Sequence, residues 1–205
     1  MRITFCVIKG IDYGGGIERY TFELGRRLAS RGHQVTVYSM RHYGRTRAGS
    51  TGMRIVDVPS LPLRLAEKLT ASATAAFRTL LDPRADVVHF HHVSCGWMAW
   101  MSKLRGQKCV LQSHSLAWRS PQWTRAGSVV LRALEAVAVR SCDVLTGVSA
   151  TQAPYYYDRY GVRMVHIPTG AELKETPAPR DIRRRVPHDT SPFHQDPSLA
   201  GEPGQ

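Results

Sequence analysis

The chain has 205 residues, 42% of them hydrophobic and 21% charged, which fits one α/β-sized domain and leaves no room for two full ones. A chain of this length buries enough surface to fold without disulfides or a structural metal. Its 28 Lys and Arg against 16 Asp and Glu give a formal charge of +12, which favours an anionic partner such as nucleic acid, a phospholipid surface or a phosphorylated substrate without choosing among them.

Four cysteines, Cys6, Cys95, Cys109 and Cys142, stand far apart with no C-x-x-C pair, so reduced, buried thiols in a cytoplasmic protein are expected rather than a zinc ribbon or disulfide scaffold. The opening Met1–Ile8 is too short for a signal-peptide core. No apolar run is long enough to span a bilayer, so neither export nor a spanning helix is predicted.

In chain order, a β-branched run from Ile3 to Ile8 is followed by a helical pattern from Ile17 to Arg31, a glycine stop in "RGH", and a strand from Gln34 to Ser39. That is a βαβ unit. Further strands are predicted at Met53–Val58, Asp86–Phe90, Cys109–Ser113, Asp143–Gly147 and Met164–Ile167, with helices near Gly96–Leu104, Gln122–Arg140 and Ala150–Tyr160. Strands separated by helices predict a single α/β, Rossmann-like, doubly wound parallel sheet covered on both faces. Beyond Glu172, residues 173–205 hold six of the twelve prolines and one aromatic, Phe193, and their five basic and five acidic residues cancel. The sequence predicts a folded, basic domain at 1–172 and a disordered tail at 173–205.

Ligands of such a sheet bind beyond the carboxyl ends of its strands, so the loops after Ile8, Phe90, Ser113, Gly147 and Ile167 matter most. The first runs Lys9-Gly10-Ile11-Asp12-Tyr13-Gly14-Gly15-Gly16-Ile17-Glu18-Arg19. Three glycines before a helix let backbone N–H groups approach a phosphate or diphosphate; the alternative is a tight turn needing positive φ. A dinucleotide fingerprint fails at Arg19, where its third glycine belongs, and at Ser39-Met40-Arg41, which offers no ribose-binding acid. No Walker motif occurs.

The fourth strand ends in His89-Phe90-His91-His92, where alternation puts His89 and His91 on one face, either as a metal pair or as histidines at a cleft rim or within the core. No acidic or cysteine ligand follows to complete a metal site. The fifth strand runs directly into His114-Ser115, with Trp118 and Trp123 soon after. A histidine there can take or share a proton near neutral pH, and the tryptophans offer stacking faces to a sugar or apolar contact with lipid; packing roles stand beside both. The cations are scattered, from Arg26 through Arg45 and Arg47 to Lys108, without the aromatic interleaving of a nucleic-acid groove, so no nucleic acid is expected. Leu61, Leu65 and Leu69 can share one side of a helix beside Arg64 and Lys68, as core packing or as shallow contact with anionic lipid.

Taken together, "GGGIERYTFELGRRLASRGHQVTVYS", "ADVVHFHH", "VLQSHS", "CDVLTGVSA" and "YGVRMVHIPTGAE" resemble, in order and spacing, the N-terminal half of the family 4 glycosyltransferases. The resemblance covers about Met1 to Glu172 and implies half of a GT-B fold, in which two Rossmann-like domains face each other across a cleft. It implies transfer of a sugar from a nucleotide-diphosphate sugar to a glycan or lipid-linked acceptor with retained anomeric configuration, usually with no metal and no cofactor beyond the donor substrate. By the same resemblance, Gly14, Gly15 and Gly16 lie beside the donor diphosphate and Glu18 opens the first helix. His114 matches the histidine near the reacting sugar, and Ser149 and the Pro168-Thr169-Gly170 turn sit at the cleft. Relatives commonly read P-N-G-V-D at that turn, from which Thr169 and Glu172 depart.

Relatives bind the donor with a second domain carrying an Arg/Lys pair and an E-x7-E motif, neither of which follows Glu172 here. A truncated or split transferase, inactive alone and completed by a separate C-terminal chain, is therefore expected, at the cytoplasmic face of an anionic membrane. The alternative is a non-catalytic binding or accessory module acting with a partner chain.

Overall fold

The computed structural model describes residues 1–43 and 52–170, excepting the side chains of Arg64 and Leu65. The expected disordered tail at 173–205 and the cations Arg45 and Arg47 lie outside the described residues. By its contacts the chain divides into Met1–Thr169 and Gly170–Gln205, and the fold is that of the first unit.

Its elements run β1 (Arg2–Ile8), α1 (Gly16–Ser30), β2 (Gln34–Met40), β3 (Arg54–Val58), α2 (Arg64–Leu81), β4 (Val87–Phe90), α3 (Ala99–Leu104), β5 (Lys108–Ser113), α4 (Arg125–Ser141), β6 (Val144–Gly147), α5 (Ala153–Tyr160) and β7 (Met164–His166). The seven strands are all parallel, in the order β3-β2-β1-β4-β5-β6-β7. This is the single α/β sheet that the alternation of strand and helix patterns predicts. The glycine stop after α1 is also present: Gly32 sits at φ 82 and its N–H returns to Ala29 O at 2.9 Å.

Three expected helices start later than their apolar pattern. Gly96–Met98 and Ala150–Gln152 are 3-10 turns leading into α3 and α5, and α4 starts only at Arg125 because Thr124 Oγ1 caps it, accepting from Gly127 N at 3.2 Å. The leucine stripe is corrected more substantially. Leu61 precedes α2, Leu63 is extended, and Leu69 is half-buried, so Leu61 and Leu69 do not share an exposed helical face. Of the four free cysteines, Cys6, Cys95 and Cys109 are buried, whereas Cys142 is only half-buried. No helix among the described residues is long and apolar enough to cross a membrane.

Alternation sends successive side chains of each strand to opposite faces of the sheet. Phe5, Val35 and Val37 join Ile17, Phe22 and Leu28 under α1. Their neighbours Cys6, Tyr38 and Met40, with Val88, Phe90 and Leu111, build the larger core beneath α2 to α5. Right-handed crossovers explain the split: β1 to β2 moves one way across the sheet, β3 to β4 and onward the other, so α1 is left alone on its face. Over β6 and β7 that face is open, with Val144 and Val165 exposed.

Close approach fixes Gly96 at the base of α3. A Cβ there would lie 2.7 Å from Leu111 Cδ1 and 3.1 Å from Ala138 Cβ, both buried. Gly96→Ala is expected to destabilise the domain by about 1–3 kcal/mol through overpacking, read as a lower urea midpoint.

Candidate functional site

The sheet order reverses between β1 and β4, and the loops leaving those strands define the crevice where a doubly wound sheet takes its ligands. Gly14 adopts φ 79, a conformation that glycine reaches at no steric cost, and Gly15 is the extended N-cap of α1. The first helical bond runs from Arg19 N to Gly15 O at 2.9 Å, and no side chain of the cap residue satisfies the N–H groups before it. Gly14 and Gly16 are exposed, with open space where a Cβ would fall.

Glu18 does more than open the helix. It is buried, and one carboxylate oxygen accepts from Lys9 N at 3.2 Å while the other occupies the space where a Gly15 Cβ would stand. Glycine at that position is therefore needed for Glu18 to fold back over the helix start. One anion already complements the N-terminal end of α1, and an incoming diphosphate would share that end with it.

From α1 the site continues to the histidines. Tyr20 meets both His91 and His114 edge-on, each with ring centroids 5.9 Å apart, and His91 and His114 stand 6.4 Å apart. His89 and His91 do share a face, at 4.6 Å, with His91 stacked and His89 tilted against Phe5. Thr21 Oγ1 donates to Ile17 O at 2.8 Å, so its contact with His91 Nε2 at 3.0 Å must be one it accepts. His91 is therefore protonated on Nε2 and ties β4 to α1.

Burial lowers His89 to about 4, aided by His114, and lowers His114 to about 4 by itself. Burial, with Lys68 and His114, lowers His92 to about 3. His91 also lies well below its ordinary value, through burial and then its histidine neighbours. All four imidazoles are neutral near pH 7. The expected proton exchange near neutral pH is thus corrected for His114, a half-buried residue whose Nε2 is itself buried without a hydrogen-bond partner among the described residues. It can share a hydrogen bond with a ligand without titrating.

On the other side of the sheet a cleft of about 370 Å³ opens at the same end of the molecule. Lys9 comes from the β1 loop, His92 and Ser94 from the β4 loop, and Ser115 and Trp123 from the β5 loop, with Glu67 and Lys68 on α2. Burial pulls the Lys9 ammonium down, but the Tyr13 hydroxyl at 3.3 Å and the neighbouring Tyr43 ring hold it above its ordinary value. A second cavity of about 300 Å³, lined by Arg2, Gln34 and Arg54, lies at the amino ends of the strands, away from these loops. Among the described residues, no three His, Cys, Asp or Glu side chains are grouped to hold a metal ion.

Residues 14–175 match the model of Glycosyltransferase Family 4. The chain belongs to that family. No curated protein matches it, whereas solved structures do. It is similar to the lipopolysaccharide outer core galactosyltransferase WaaB, with TM-score 0.58 and 13% identity over 88% of this chain and 50% of that one. It is also similar to Anabaena HepE in complex with UDP, with TM-score 0.57 and 15% identity over 84% and 45%. A sucrose-phosphate synthase structure from Thermosynechococcus elongatus matches with TM-score 0.56 and 16% identity over 83% of this chain and 90% of that one. At these identities the likeness shows the fold alone. The chain spans about half the length of the WaaB and HepE structures.

Of the family 4 positions expected from sequence, the fold gathers Gly14, Gly15, Gly16 and Glu18 at the start of α1 and links them through Tyr20 to His114. Ser149 follows β6. Its hydroxyl is engaged locally, accepting from Thr151 N at 3.4 Å, as the cap of the 3-10 turn. Val148 N bonds Ser113 O at 3.1 Å, which holds that loop beside His114. Gly170 is exposed and starts the second unit. Tyr20, Lys9, Glu67, Lys68 and His92 join these positions only in the fold. Tyr20 had a readable signal, one helical turn beyond Gly16, but Glu67 and Lys68 reach the cleft only because α2 crosses to the opposite face.

Proposed function

We propose that this chain forms the acceptor-side wall of an enzyme that transfers a sugar from a nucleotide-diphosphate sugar to a hydroxyl of a glycan or lipid-linked acceptor, with retention. The observation that carries the reading is the continuous rim from Gly14–Gly16 through Tyr20 to His114, beside a cleft with polar walls and one tryptophan. Free N–H groups of α1 and the nearby Lys9 ammonium stabilise the leaving diphosphate, with Glu18 limiting how far it can descend. Neutral His114, a poor base at a value of about 4, hydrogen-bonds a sugar hydroxyl and orients it rather than abstracting its proton. Trp123 offers an apolar face to an acceptor ring, and the Ser94 and Ser115 hydroxyls its polar partners.

The HepE relative is solved with UDP, which supports a nucleotide sugar as donor, and the half-length match supports a second, donor-holding half in the same or a separate polypeptide. The free cysteines suit a reducing compartment, hence the cytoplasmic side of a membrane. Mixing the 205-residue chain with a separately made donor-binding half should restore release of UDP or GDP from a panel of nucleotide sugars in the presence of acceptor. His114→Ala should lower the restored kcat by ~100-fold or more. Release indifferent to that substitution would remove His114 from the chemistry, and no release at all would favour an accessory module.

A further inference from the structure

The outward surface of the α2–α4 layer is unusual for a solvent-facing one. On α2 the buried residues Ala71, Ser72, Ala75, Ala76 and Thr79 mark the face turned to the sheet. At 100° per residue Phe77 and Leu81 fall on the opposite side, and they are 53% and 68% exposed. On α3 the buried residues are Ala99 and Ser102, while Trp100 and Leu104 project outward at 46% and 71% exposed. On α4, Leu131, Glu135, Ala138 and Val139 face inward, and Val129, Val130 and Val137 are exposed. The outward stripes thus carry apolar side chains where a soluble helix carries polar ones.

These helices form one layer. Thr79 Oγ1 meets Ser102 Oγ at 3.2 Å, the Arg105 guanidinium donates to Thr79 O and Asp82 O at 2.8 Å each, and Ala138 lies against Gly96 at the base of α3. Its charge is lopsided. Of the two glutamates on the three helices Glu135 is fully buried, and Glu67 lines the cleft together with Lys68, whereas the cations outside the cleft include Arg78, Lys103, Arg125 and Arg140. Lys103 pairs with Asp143 at 3.3 Å, while Arg78, Arg125 and Arg140 add positive charge around the apolar stripes.

We propose that the outward face of α2, α3 and α4 is a docking surface for an anionic phospholipid bilayer, with Phe77, Leu81, Trp100 and Leu104 entering the headgroup–acyl boundary and the flanking cations meeting lipid phosphates. Charge complementarity selects this occupant. A second copy would bring the same positive surface against itself, whereas an anionic leaflet neutralises it. Apolar insertion together with a basic rim supplies the two signals that stable peripheral binding requires. The surface differs from the Leu61–Leu69 segment expected from sequence, because α2 turns a different stripe outward.

The test uses the full chain and vesicles of phosphatidylcholine with or without phosphatidylglycerol, read by flotation without donor or acceptor, so its outcome is separable from that of sugar transfer. Binding is expected on the phosphatidylglycerol vesicles, weakening as salt rises. Phe77→Ser, Leu81→Ser and Trp100→Ser combined should reduce partitioning at least roughly tenfold with an unchanged circular dichroism spectrum. Val144→Ser with Val165→Ser, on the opposite sheet face, should leave it unchanged. Quenching of tryptophan emission by brominated acyl chains should be lost in Trp100→Phe. Absence of binding to anionic vesicles, equal loss in the Val144/Val165 control, or concentration-dependent dimerisation that the triple variant abolishes would each overturn the assignment.

Discussion

Lowering the pH from about 7 to about 5 is expected to remove several kcal/mol of unfolding free energy from this domain. The cause is the imidazole group beneath the rim. His89 and His114 are held at about 4, His92 at about 3 and His91 well below its ordinary value, in each case first by burial. In the unfolded chain each returns to about 6.5. The unfolded state therefore binds more protons between those values, so stability rises with pH through the window. It is fully present above about 6.5 and is lost as pH falls toward the folded values. Each imidazole held at about 4 contributes about 2 kcal/mol between pH 7 and pH 5, less for the half-buried His92 and His114, against a typical total of about 5–15 kcal/mol. Urea unfolding at pH 7.5, 6.5 and 5.5 should show a slope of more than one proton per transition. A flat profile would mean that the imidazoles titrate in the fold as they do in the open chain.

A comparable loss is expected from one substitution on α4. Glu135 is fully buried, and one of its carboxylate oxygens accepts from Tyr155 OH at 2.5 Å and Tyr160 OH at 3.0 Å. Its other oxygen has no partner among the described residues. Burial and the bond to Glu135 hold the Tyr155 phenol protonated far above its ordinary range. Glu135→Ala orphans two hydroxyls and leaves a cavity, for an expected cost of about 3–5 kcal/mol. Glu135→Gln keeps the shape and one acceptor for the two hydroxyls, so its loss should be within about 1–2 kcal/mol. Urea midpoints at pH 7.5 distinguish them. Equal losses would show that the shape and single acceptor kept by glutamine are not enough to hold α5 against α4.

Much of the site was legible in local pattern. Gly14 to Gly16 ahead of a helical pattern marked the loop that opens α1 at the sheet's carboxyl end, and the period of two in His89-Phe90-His91 placed two histidines on one face. Their chemistry was less legible. A histidine at the end of a strand reads as a neutral-pH proton carrier until packing against Tyr20 and His91 shows how far desolvation moves it. Glu18 reads as an ordinary first-turn acid, and only the fold shows its carboxylate lying over Gly15.

The amino-acid order alone determined the α/β class, the parallel sheet and which loops follow strand ends, because those depend on periodicity and spacing along the chain, and its motifs carried the family resemblance. Tertiary structure decided which residues share the cleft, which helix faces remain wet, and what charge each histidine carries. Those properties follow from neighbours distant in sequence: Lys68 beside His92, Tyr20 against His114, and Phe77 turned away from the sheet by the packing of Ala75 and Thr79.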